Sequence, residues 1–96
     1  RPSRNNILWR DQNQCQYCGV IESPKDMTID HIVPRSRGGR NTWNNLVTCC
    51  KKCNQKKRDR TPEEAGMTLL NKPIKPKNSV LRHIGDVQPI WNVYLW

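Results

Sequence analysis

The 96-residue chain is one small domain's worth of sequence, 34% hydrophobic and without Phe, and a chain this short buries little surface; its thin apolar core calls for a disulfide or metal staple. Lys and Arg number 17 against 8 Asp and Glu, a net charge of +9 that favours a polyanion, most simply nucleic acid. No apolar run approaches the ~20 residues of a bilayer span and no basic amphipathic helix stands out, so a membrane partner is not expected.

The chain starts at Arg rather than Met and shows no signal peptide. It reads as a fragment whose targeting information would lie upstream, with a cytoplasmic setting expected. From the N-terminus, "PSRNNILWRD" predicts a short helix with Ser3 as N-cap and Ile7 and Leu8 facing inward. "CQYCG" is a tight cysteine knuckle with Gly19 in its turn. "MTIDHIV" predicts a strand of β-branched residues. "PRSRGGRNTWNN" is a loop with little to bury, "LVTCC" a second strand, and "KKCNQKKRDRT" a basic helical segment ending near Pro62. "TPEEAGMTLL" opens another helix, with Thr61 as N-cap, Pro62 at its first position and Glu63 and Glu64 at the positive helix end. Residues 71–79 form a basic, Pro-containing linker, and the tail "VQPIWNVYLW" is expected to pack back on the domain. There is no repeat, and residues 1–96 read as a single domain.

Cys15 and Cys18, and again Cys50 and Cys53, make two CxxC knuckles. A two-residue spacer lets both sulfurs of a knuckle reach one ion, and tetrahedral Zn²⁺ takes four thiolates. Disulfides are the alternative; the odd cysteine count, the CxxC spacing and the lack of a secretory signal weigh against them. Four thiolates leave no open position for water, so this zinc is expected to be structural, with Cys49 a small buried hydrophobe beside it.

Between the knuckles lies Asp30-His31, followed by Asn45 and then by Asn54 directly behind Cys53. The pattern "DH…P…GG…W-N-NL…C-x-x-C-N-x-x-K" resembles the HNH endonuclease family in its zinc-stapled form with two CxxC knuckles, from about Ser3 to Gly66. The resemblance implies an α+β fold: a small ββα-metal domain stapled by a four-cysteine zinc site, with flanking helices. Its core covers about residues 3–66, and 67–96 are a C-terminal extension. It further implies a metal-dependent endonuclease that hydrolyses DNA phosphodiester bonds, leaving 5′-phosphate and 3′-hydroxyl ends. One such site cuts one strand, so nicking is expected, and with no sequence-reading helix in the chain low sequence specificity is expected.

The chemistry agrees with these residue types. Neutral imidazole, with an unperturbed pKa of about 6.5, accepts a proton from water near neutrality, which makes His31 the candidate general base. A hard cation takes oxygen ligands, here the Asp30 carboxylate and the Asn54 side-chain carbonyl. Asn45 resembles the family's middle Asn, which ties the loop and orients the histidine. Where the family's name has its last histidine this chain has Asn54, and an all-oxygen site favours Mg²⁺ or Mn²⁺. Neighbours on a strand point to opposite faces, so Asp30 and His31 share one site only if the strand twists or ends there.

Arg35, Arg37 and Arg40 on the loop, and Lys56, Lys57 and Arg58 on the following helix, are expected to contact phosphates without reading sequence. Lys57 leads this set by its match to the family pattern. Trp43 is expected under the loop, Trp9, Trp91 and Trp96 in core or tail packing, and His83 in a surface or packing role. Gly38-Gly39 reads as the hinge of the loop. The expected partner is double-stranded DNA and the expected state a monomer or weak dimer. A zinc-stapled nucleic-acid-binding module without catalysis and a protein-interaction zinc domain are the alternatives, disfavoured by the Asp30, His31 and Asn54 set.

Overall fold

A computed structural model describes residues 1–76. His83, Trp91, Trp96, the end of the basic linker and the aromatic tail lie outside these residues. Helix α1 runs over Arg4–Asp11. Its Ser3 cap accepts from the Asn6 N–H while the Asn6 side chain accepts from the Ser3 N–H, so two orphan donors of the first turn are satisfied. Ile7 and Leu8 are its buried face, as the pattern predicted.

Strands β1 (Met27–His31) and β2 (Leu46–Cys50) pair antiparallel, with Asp30 opposite Val47 and His31 opposite Leu46. β2 is buried along its whole length because α1 covers it and the helix that follows it packs on the same hairpin. Strand β1 stops at His31, two residues before the predicted end. Beyond it the Asn45 side chain replaces the ladder: its Oδ1 accepts from the Val33 N–H at 2.9 Å and its Nδ2 donates to the Val33 carbonyl at 3.1 Å.

Helix α2 covers Lys51–Lys57 and is shorter than its basic run suggested. Arg58 terminates it at a positive φ, with φ 56° and ψ −135°, which costs a side-chain-bearing residue energy that glycine avoids. The Arg60 guanidinium donates to the last carbonyls, Lys56 at 2.6 Å and Lys57 at 3.2 Å. Helix α3, Pro62–Ala65, has the predicted Thr61 cap and a capping box closed by Glu64.

The core gathers Leu8, Tyr17, Met27, Val47, Cys49 and Met67, with Ile29 and Leu69 packed against it. Packing therefore continues past residue 66, and the Leu70 N–H donates to the Gln16 carbonyl at 2.7 Å. Cys49 is fully buried in β2. The last turn of α1 clamps β2 and the loop: Arg10 donates to the Trp43 and Leu46 carbonyls, each at 2.7 Å, and Asp11 accepts from the Thr48 N–H at 2.8 Å. Trp43 is half-buried, with the Arg10 guanidinium 5.8 Å above its ring.

The loop between the strands is more ordered than its composition implied. A 3₁₀ turn at Arg35–Arg37 ends on Gly38 at φ 90°. Gly39 is no hinge: a Cβ there would stand 1.7 Å from the Val33 carbonyl oxygen and 2.9 Å from Asn45 Nδ2. It is glycine because two backbone segments meet at that point.

Candidate metal centres and active site

The four knuckle cysteines converge, their sulfurs all within 4.8 Å of one another and Cys18 Sγ 3.7 Å from Cys50 Sγ. Backbone N–H groups of Tyr17 and Cys18 point at Cys15 Sγ, each at 3.5 Å, and that of Cys53 points at Cys50 Sγ at 3.4 Å. Burial opposes ionisation of Cys15, but backbone donors outweigh it and hold the thiol down at about 7. Four sulfurs on one point, with N–H groups ready for negative sulfur, fit a single tetrahedral ion. Cys49 stays outside the cluster, and burial pushes its thiol above the usual range.

A cleft of about 280 Å³ opens where β1 ends and α2 begins its second turn, lined by Asp30, His31, Arg35, Asn54, Arg58 and Asp59, among others. Asp30 and His31 reach one site because β1 terminates at His31. Asn54 sits a turn into α2; its Nδ2 lies 3.4 Å from Thr28 Oγ1, and its Oδ1 carries no hydrogen bond among the described residues. An amide oxygen without a partner and a carboxylate lining the same cleft are donor types that fit a hard divalent cation.

His31 Nε2 is 2.7 Å from Asn41 Oδ1. No motif pointed to Asn41, which lies in an otherwise featureless polar loop. Asn45 does not touch the imidazole; it holds the loop, donating also to the Arg40 carbonyl at 3.0 Å, while its own carbonyl accepts from Ile32 N–H at 2.8 Å.

Asp30 is only 7% exposed. The Tyr17 O–H donates to its Oδ2 at 2.7 Å, and Lys57 Nζ is 3.2 Å from the same oxygen. Burial and the neighbouring Asp30 charge push the Tyr17 phenol above its usual range, keeping it a donor. Neither partnership was legible, although Tyr17 lies inside the first knuckle.

The basic residues separate. Arg35 and Arg58 line the cleft. Arg37 is tied to Glu64 in an exposed ion pair that fastens the loop to α3. Lys56 borders a different recess, beside Cys18 and Cys53, and Arg40 does not line the cleft. Lys57, expected on the phosphate-facing surface, is fully buried, its Nζ donating to the His31 carbonyl at 2.8 Å. A buried ammonium needs a paired charge, and Asp30 supplies it.

None of the described helices is long and apolar enough to cross a membrane. The sequence profile of a family described as HNH endonuclease matches residues 15–70. The CRISPR-associated endonuclease Cas9 of Corynebacterium diphtheriae is 45% identical in an alignment 64 residues long that covers 59% of this chain and 6% of that protein. The crystal structure of the Type II-C Cas9 enzyme from Actinomyces naeslundii matches over 86% of this chain and 11% of its own, with TM-score 0.54 and 23% identity, a likeness of fold. The chain thus spans a small part of the length of these relatives. With the profile covering both knuckles, the hairpin and α2, the chain belongs to the HNH endonuclease family.

Proposed function

We propose that the chain is a metal-dependent endonuclease that hydrolyses DNA phosphodiester bonds, nicking with low sequence specificity. His31 activates water, Asp30 and Asn54 hold one Mg²⁺ or Mn²⁺ ion, and Cys15, Cys18, Cys50 and Cys53 hold a structural Zn²⁺. The observation that carries this reading is that Asp30, His31 and Asn54 line a single cleft. A divalent ion bound there supplies charge neutralisation at the phosphoryl group and the leaving oxygen.

The chain's own residues handle the proton and the orientation. With Asn41 Oδ1 as acceptor, His31 Nε2 carries the ring proton and Nδ1 keeps its lone pair. Nδ1 then takes a proton from the water that attacks phosphorus, and the bond to the 3′-oxygen breaks. The departing 3′-oxygen takes a proton from solvent water and His31 returns its own to solvent, so the products are a 5′-phosphate and a 3′-hydroxyl. Asn45 keeps the loop closed over the strand end so that the imidazole stays placed. Arg35 and Arg58 border the cleft, where they neutralise phosphates of the bound strand.

One cleft cuts one strand, so a monomer nicks double-stranded DNA, and a double-strand break needs paired nicks or a weak dimer. We read residues 1–96 as one nuclease domain with a C-terminal extension. A thiolate zinc site suits a reducing, cytoplasmic setting. In a second reading the chain is the nuclease module of a longer enzyme similar to the Cas9 of C. diphtheriae, favoured by its match to 6% of that protein. Plasmid relaxation tests the first reading. Supercoiled DNA should become open circles with Mg²⁺ or Mn²⁺, and chelator or His31→Ala should stop it. No nicking by the intact chain, or full nicking by His31→Ala, overturns it.

A further inference from the structure

The Asp30 carboxylate is gripped from both cysteine knuckles. Tyr17 lies between Cys15 and Cys18, and its O–H reaches Asp30 Oδ2 at 2.7 Å. Lys57 lies one helical turn beyond Cys53, and its Nζ reaches the same oxygen at 3.2 Å. All three side chains are buried. A buried phenol and a buried ammonium are costly without partners, and Asp30 partners both. A carboxylate has about four acceptor positions. Tyr17 and Lys57 both reach Oδ2, Lys57 Nζ also lies 3.5 Å from Oδ1, and Asp30 still lines the cleft.

We propose that Tyr17 is a positioning residue for the cleft's divalent cation: it fixes the Asp30 carboxylate from within the first knuckle, so the thiolate site and the cleft form one mechanical unit. The proposal rests on Asp30 being a ligand of that cation. Removing the phenolic oxygen leaves the ring packed and the thiolates in place but frees the carboxylate to rotate. Loss of an outer hydrogen-bond partner of a ligand typically lowers metal affinity about 10–100-fold.

The experiment uses the full chain as wild type, Tyr17→Phe and Asp30→Ala. Free Mn²⁺ is titrated by electron paramagnetic resonance, zinc content is measured on the same samples, and plasmid nicking is followed against Mn²⁺ concentration. Tyr17→Phe should keep its zinc, bind Mn²⁺ about 10–100-fold more weakly, and regain most of its nicking rate at saturating Mn²⁺. Asp30→Ala should lose the Mn²⁺ site. Unchanged Mn²⁺ affinity in Tyr17→Phe, with the site lost in Asp30→Ala, overturns the coupling while leaving the ligand assignment standing. Zinc loss accompanying the weaker Mn²⁺ binding also overturns it, because Tyr17 would then be merely structural. Mn²⁺ binding that survives in Asp30→Ala overturns the ligand assignment and this inference with it.

Discussion

The amide oxygen of Asn41 lies 2.7 Å from His31 Nε2, so the loop that leaves the end of β1 returns ten residues later to hold the imidazole. With Asn41 Oδ1 as acceptor the ring proton lies on Nε2, which leaves the Nδ1 lone pair for the base role proposed for His31. Asn41→Ala should lower the single-turnover nicking rate about 10–100-fold, part of what a positioned general base contributes. Nitrogen NMR should find His31 in the Nε2–H tautomer in the wild type and in a mixture of tautomers in the variant. An unchanged tautomer with an unchanged rate would remove Asn41 from the site.

The thiolate cluster joins Cys15 and Cys18, ahead of the hairpin, to Cys50 and Cys53, at its far end. In zinc-finger peptides structural zinc supplies about 10–16 kcal/mol of apparent binding energy, as much as a small domain's whole net stability. Zinc chelation should therefore abolish the cooperative thermal transition, and Cys53→Ser should do the same. Cys49→Ala, outside the cluster, should keep its zinc and melt cooperatively at a lower temperature. Zinc analysis beside calorimetry checks all three.

What was legible in the sequence was local. Both knuckles, the Ser3 and Thr61 caps and the two strands follow from spacings of a few residues, and they stand in the structure. Asp30 and His31 were legible as candidate metal ligand and candidate base because they are adjacent, but their sharing of a cleft depends on where β1 stops. That is decided by the Asn45 amide binding both polar groups of Val33. The contacts of Tyr17, Asn41 and Lys57 each cross the fold, bringing together residues 10–27 positions apart. No periodicity encodes such meetings. Charge counting also failed to separate a lysine that faces solvent from its neighbour that faces the core.

Lys56 and Lys57 should consequently behave as opposites. Lys57→Gln leaves the buried Asp30 without its cation, a change worth about 3–5 kcal/mol where one partner of a buried pair is lost. Its melting temperature should fall while the salt dependence of DNA binding stays as in the wild type. Lys56 is exposed, so Lys56→Gln should leave melting intact. If it meets a phosphate it should lower the salt slope by about one. Equal salt slopes for wild type and both variants would remove either lysine from the DNA contacts.

Hydrogen bonding to Arg37 holds the Glu64 carboxyl down at about 2, against an ordinary value of 4.5. A depressed folded-state value adds stability above the unfolded value and loses it as pH falls through the folded one. The contribution is therefore present above pH 4.5 and fades toward pH 2. The pair is exposed, so its effect is small. Subtracting Glu64→Gln melting temperatures from those of the wild type should give a positive difference at neutral pH that shrinks across this window. A difference that does not change with pH would show that the pair does not act through the Glu64 charge.

Gly39 makes the tightest demand of the loop. A methyl group there would enter the Val33 carbonyl and press on the Asn45 amide nitrogen, and neither is a flexible chain end that can swing aside. Gly39→Ala must push the loop off the strand end and break the Asn45 clasp on Val33. Overpacking of this kind costs about 1–3 kcal/mol. Cys50 lies at the opposite end of the hairpin, across from Met27, so zinc content should be retained. Since the displaced segment also carries Asn41, the nicking rate should fall further than the stability loss alone explains. Gly38→Ala is the control: it meets no atom within 4 Å, and its penalty comes only from φ 90°. It should destabilise through its backbone while leaving the nicking rate of the folded protein near the wild-type value. If Gly39→Ala kept its nicking rate with its zinc in place, the loop would not be what holds His31.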